Sequence, residues 1–152
     1  MSYKDIIKNM DLKDMKLRRM DVCIKVMQRV VDLKRAFNLG SWQQSGIKRK
    51  KEKALHNCGS AACFGGWLAV SPEFQRAGGS VSDMGKTVFD GHTSYPAINA
   101  YLGLESGHEF GDEFVYTCSD IYNDCPRPIT AKNVITRLKY AKQVAIQQKA
   151  QA

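Results

Sequence analysis

A chain of 152 residues, 43% of them hydrophobic, is long enough to bury one core, so a single domain over 1–152 is expected. No apolar run approaches the ~20 residues a membrane helix needs, and the start, Met1-Ser2-Tyr3-Lys4-Asp5, lacks the basic-then-apolar layout of a secretory signal. These features argue against a membrane protein and predict a cytoplasmic one. The net charge of +8 is uneven: residues 1–53 hold 15 Lys/Arg against 6 Asp/Glu, 54–128 hold 3 against 9, and 129–152 hold 5 against none. Basic ends therefore flank an acidic middle. Folded side by side, those ends make one positive face for a polyanion or an acidic protein surface; otherwise they are solvated helix faces.

Taken in chain order, residues 3–10 suit a short turn of helix. Asp11 then reads as an N-cap, with Asp14 three residues on. Leu12, Met15, Met20, Cys23, Ile24, Met27, Val30, Val31 and Phe37 recur at steps of mostly three or four, which predicts a long amphipathic helix over about 11–38, stopped by Gly40. Lys13, Lys16, Arg18, Arg19, Lys25 and Arg29 fall mostly off that stripe. Residues 43–53 are polar and basic and read as a mobile loop. A helix is expected over about 60–70, ended by Pro72. Residues 76–94, with Gly78, Gly79, Gly85 and Gly91, read as loop with a short β-hairpin near 79–92. Pro96 opens a helix over 95–102 that stops at Gly103. Ser106 is placed to cap a short helix through about 115, and 117–128 reads as loop. Thr130 caps a last helix with Val134, Ile135, Leu138, Ala141, Val144 and Ala145 on one face. Its tail, 147–152, is expected to fray. The sum is a mainly α single domain, with any strands near 79–92.

The element most suggestive of chemistry is His56-Asn57-Cys58-Gly59-Ser60-Ala61-Ala62-Cys63-Phe64-Gly65-Gly66-Trp67. Small residues at this density permit close backbone approach, and a thiol at a helix start can be activated. The stretch is thus a packing node, a reactive-cysteine site or half of a metal site. Asn57-Cys58-Gly59-Ser60 resembles the helix-opening cysteine of papain-like proteases, which would make Cys58 a nucleophile and His92 or His108 its base, with Asn99 or Asp120 orienting the ring. The likeness stops at Ala61-Ala62, and no matching His or Asn motif follows. For a tetrahedral zinc the candidate ligands are His56, Cys58, Cys63, Cys118 and Cys125, at spacings of C-x4-C and C-x6-C rather than C-x2-C. Zinc is the one cofactor these residue types suggest; the leading reading needs none. Residues 79–87 miss a phosphate loop, which needs four residues between its glycines and here has five.

The basic cluster Lys48-Arg49-Lys50-Lys51, with Lys53, can neutralise phosphates without reading sequence. Arg18 and Arg19 extend the candidate surface, and Trp42 is a candidate base-stacking platform. No helix-turn-helix, zinc-finger or RNP signature accompanies them.

The segments Phe37-Asn38-Leu39-Gly40-Ser41-Trp42, Cys58 to Trp67 and Ala100-Tyr101-Leu102-Gly103-Leu104 together resemble a group of small bacterial and bacteriophage proteins of uncharacterised function. That group carries a CGTxACxxGWA-like element. The resemblance implies a phage or bacterial cytoplasmic setting and no catalytic residue. The leading expectation is a non-enzymatic, phage-type accessory protein. It would bind a host protein or an anionic ligand, nucleic acid or nucleotide, through its basic surface, and so inhibit a host or defence function. The alternatives are a Cys58-dependent hydrolase or transferase and a small structural zinc domain.

Overall fold

The computed structural model describes residues 2–38, 41–44, 48–57, 61–111 and 129–152. Two features set the frame, a pair of packed helices and a small sheet with short helices around it. α1 (Tyr3–Lys8) opens the chain behind a capping box in which Ser2 and Asp5 satisfy each other's backbone N–H. α2 (Leu17–Asp32) buries Met20, Cys23, Val26, Met27 and Val30. α7 (Ala131–Gln151) lies against it and buries Val134, Ile135, Leu138, Ala141, Val144 and Ala145. Thr130 caps α7 as expected, with Asn133 completing the box. Mainly α architecture with a long C-terminal helix is thus the fold.

The first long helix is shorter than its stripe suggests. Residues 11–16 form turns: the Asp11 carboxylate accepts from Lys13 N at 3.3 Å and Met15 N donates to Leu12 O at 3.0 Å. Leu12 and Met15 are nevertheless fully buried. Their spacing reported burial correctly and helix incorrectly, because a turn can also point every third residue inward. At the other end, Lys34 adopts φ +53°, and the helix stops well before Gly40. Sixteen residues give α2 a length of about 24 Å, against about 40 Å for the expected span.

The C-terminal tail, expected to fray, is helical to Gln151. The Gln148 side chain donates to Met10 O at 2.7 Å and accepts from Leu12 N at 2.6 Å, and Lys149 Nζ donates to Lys13 O at 2.6 Å. These bonds satisfy the turn at 10–13, so α7 runs helical to Gln151.

Between the long helices lie α3 (Glu52–Asn57), α4 (Phe64–Val70), α5 (Pro72–Arg76), β1 (Ser80–Val81), β2 (Thr87–Phe89), β3 (His92–Thr93), α6 (Tyr95–Tyr101) and a 3-10 turn (Glu109–Gly111). The expected hairpin is a three-stranded antiparallel sheet in the order β1-β2-β3, with Val81 opposite Thr87 and Phe89 opposite His92. Asp90 and Gly91, at φ +50° and +77°, make the tight two-residue turn between β2 and β3. Ser106 does not open a helix; the short 3-10 turn follows instead, and the rest of that expected helix and the loop 117–128 lie mostly or wholly outside the described residues. Phe74, Phe89 and Tyr101 pack edge-on or tilted at 4.9–5.8 Å, joining α5, β2 and α6.

Candidate functional site

The described half of the cysteine-glycine element is a packing node. α4 begins at Phe64 rather than near residue 60, and Cys63 is its N-cap, with Sγ accepting from Gly66 N at 3.4 Å. Every residue of α4 is buried. A Cβ on Gly66 would lie 1.8 Å from the Trp42 carbonyl oxygen, and one on Gly65 would lie 2.2 Å from the Trp42 ring. The two glycines therefore exist to admit segment 41–44 against the helix. Cys63 N donates to Ser41 O at 2.7 Å, Gln44 N to Ala61 O at 3.0 Å, and Thr87 Oγ1 to Gly65 O at 2.8 Å. Burial pushes the Cys63 thiol up to about 11, so it is neither a thiolate nucleophile nor a ready metal ligand at neutral pH. Cys23 is buried in the core, and its thiol is pushed up likewise. Cys58, Cys118, Cys125 and Asp120 lie outside the described residues.

Among the described residues the candidate histidines do not assemble around a thiol. Phe110 N donates to His108 Nδ1 at 3.0 Å. That makes Nδ1 the acceptor, so Nε2–H is the donor to Asp11 O at 2.7 Å. Both nitrogens are used in fastening the 3-10 turn to the first loop. Asn99 does meet His108, but through its backbone: Nδ2 donates to the carbonyls of His108 and Ser106 at 2.7 and 3.1 Å. His92 sits on the edge strand β3, opposite Phe89. Among the described residues no group of three His, Cys, Asp or Glu could hold a metal ion.

The basic segment 48–53 is hydrogen-bonded to Gln43 and Gln75, and it divides into two parts. Gln43 is 4% exposed and clasps Arg49 from both sides, accepting from its N–H at 2.7 Å and donating to its carbonyl at 2.6 Å. Lys48 Nζ donates to Gln43 O at 2.8 Å. Lys48 and Arg49 thus help to shape the segment. Lys50, Lys51 and Lys53 face outward, with Lys50 3.7 Å from Asp83. Lys51 and Lys53 flank or belong to α3, so the expected loop 43–53 ends in helix. Gln75 pins the segment to α5, donating to Lys50 O at 2.6 Å and accepting from Lys51 Nζ at 2.9 Å.

This arrangement walls a cleft of about 900 Å³. α3 contributes Glu52, Lys53, His56 and Asn57, α5 contributes Pro72, Gln75 and Arg76, and Val70, Arg29 and Arg35 complete the lining with Lys51. Behind the cleft lies a charge network. Arg29 bonds Glu52 through Nε and Nη2 at 3.1 and 2.9 Å, and bonds Glu73 through Nη1 and, at 2.8 Å, Nη2. Arg35 Nη1 bonds Glu52 as well, and its guanidinium lies 5.3 Å from the Trp67 ring centre. The Arg29 hydrogen bonds hold the Glu73 carboxyl down to about 2, aided by Lys25 at 3.6 Å. The two arginines are therefore matched by two carboxylates. The Lys53 and Arg76 side chains are exposed and have no hydrogen bond or ion pair among the described residues.

The other expected anion contacts lie elsewhere. Arg18 and Arg19 occupy the first turn of α2, about 16 Å along its axis from Arg29. Arg19 is taken up by the fold: it lies 5.0–5.2 Å from the Tyr101 and Phe89 ring centres and donates to Tyr101 O at 2.9 Å. Trp42 is held against Gly65 and, at 5.3 Å, against Tyr95, so it is not a free stacking platform. Sequence reasoning missed Arg29, Arg35 and Arg76 as cleft residues. The one available signal was Glu52, a lone carboxylate inside a run of cations. No helix of the described residues is long and apolar enough to cross a membrane. Comparison with protein families, curated proteins and solved structures found no match to this chain.

Proposed function

We propose that this chain is an accessory binding protein that captures an anionic, phosphate-bearing partner on the basic cleft between α3 and α5. The observation that carries this reading is the convergence of Lys51, Lys53 and Arg76 on one concavity while the neighbouring arginines are already matched by Glu52 and Glu73. Uncompensated like charges on facing walls favour an incoming anion, and a concave low-dielectric wall strengthens the field there. The resemblance of the Cys58–Trp67 element to small phage and bacterial proteins supports an accessory role in such a cell, with inhibition of a host or defence function as its consequence.

The experiment is binding of heparin and of nucleic acid at two salt concentrations, in wild type and in the combined variant Lys50→Gln, Lys51→Gln, Lys53→Gln, Arg76→Gln. The expected result is binding that falls with salt and weakens by about tenfold or more in the variant. Binding equal in the two proteins would remove the cleft as the site. Salt-insensitive capture of an acidic host protein, with no affinity for either polyanion, would replace a phosphate partner by a protein one.

A further inference from the structure

The shape and charge of the cleft select among phosphate-bearing partners. Its volume of about 900 Å³ lies within the range of small-molecule sites, which run roughly 300–1,000 Å³. Its charge is concentrated rather than spread along a track. Arg29 spends its donors on Glu52 and Glu73, and Arg35 gives Nη1 to Glu52, so both arginine charges are paired and Lys51, Lys53 and Arg76 are left to meet an anion. Three cations around one hollow match one or two phosphate groups, each phosphomonoester carrying about −1.5 to −2. The exposed Pro72 gives the same hollow an apolar wall, and Asn57 brings an amide to its α3 side.

A nucleic-acid strand asks for something different: cations along a groove and aromatic faces on which successive bases stack. Here Arg18 stands at the far end of α2, Arg19 lies over the Phe89 and Tyr101 rings and donates to Tyr101 O, and Trp42 is held against Gly65 and Tyr95. Trp67, which backs Arg35, is buried.

We infer that the cleft is a nucleotide-class site, with the phosphates held by Lys51, Lys53 and Arg76 and the heteroaromatic part laid against Pro72. This inference rests on the anion-binding reading above and narrows it to a free, small ligand.

The test is calorimetric titration of the full chain with ATP, AMP, inorganic phosphate and a single-stranded oligonucleotide at one fixed salt concentration. The expected result is saturable binding of ATP, one per chain, tighter than AMP and tighter again than phosphate. The double variant Lys53→Gln, Arg76→Gln is expected to weaken ATP by about tenfold or more without changing the melting temperature, since both side chains are exposed. The exposed control Lys139→Gln on α7 is expected to bind as wild type does. Tight binding of the oligonucleotide with none of ATP or AMP would overturn the small-ligand inference and leave the anion-binding reading standing. Failure of all four probes would overturn both. Undiminished ATP binding by the double variant would move the site away from the cleft.

Discussion

The glycine node under Trp42 and the cleft beside α3 are opposite solutions to the use of a short helix. In the first, α4 is buried on every side and its chemistry is suppressed: the thiol caps the helix and its pKa is raised, and the Trp42 ring and carbonyl lie against Gly65 and Gly66. In the second, α3 buries only Leu55 and leaves lysine, histidine and asparagine on an open wall. The residues with the more reactive names thus do the packing, and the plainer charged ones are left facing solvent. Burial and pairing, rather than residue type, decide which of the two regions is open to a ligand.

The largest effect should come from filling the node. Gly66→Ala puts a methyl 1.8 Å from a backbone oxygen, which cannot swing away as a side chain end can. A loss of about 3 kcal/mol is expected, or about 10 °C in melting temperature, measured by thermal and urea unfolding. A variant as stable as wild type would mean that segment 41–44 does not lie against α4.

Next in size is the network behind the cleft. Arg29→Met leaves Glu52 and Glu73 facing each other with one guanidinium instead of two, at side-chain exposures of only 11% and 13%. About 2 kcal/mol of stability should be lost, between the values for exposed and fully buried pairs. The unchanged stability of Arg29→Met would reduce the network to a surface pairing.

How much of this was legible follows from the range of each interaction. Local signals carried: the Thr130 cap, the α7 stripe, Pro96 at the start of α6 and the glycine-rich hairpin near 79–92 all act within a few residues. Boundaries failed where a distant partner decided. Residues 11–16 stay out of α2 because Gln148 and Leu102 take their backbone groups, from 136 and 86 residues away. The cleft failed for the same reason: Arg29 lies 23 residues from Glu52 and 44 from Glu73, a separation that leaves no periodic trace. Gln43 gave no warning either, since a glutamine in a polar run looks solvated until its clasp on Arg49 is seen.

Two smaller effects sharpen the contrast. Cys63 should react with a thiol reagent at neutral pH about a hundredfold more slowly than an exposed thiol, from the rise of its pKa from 9.0 to about 11. Rapid labelling at Cys63, located by peptide mapping, would reopen the node as a chemical site. The Glu73 carboxyl, lowered from 4.5 to about 2 by Arg29, gives the smallest effect. Its folded pKa is depressed, so its contribution is complete above about pH 4.5 and is lost as the pH falls toward 2. Glu73→Gln should flatten the stability profile in that window only. A profile unchanged there would show that the Arg29 pairing does not persist in solution.

The central claim is that the functional surface lies at α3 and α5 and not at the node. Backbone NMR shifts during an ATP titration test it directly. The account predicts that Lys51, Lys53, Asn57 and Arg76 move together along one saturable curve while Gly65, Gly66 and Arg18 stay still. Shifts confined to the first turn of α2, or to the glycines of α4, with the cleft unmoved, would contradict it.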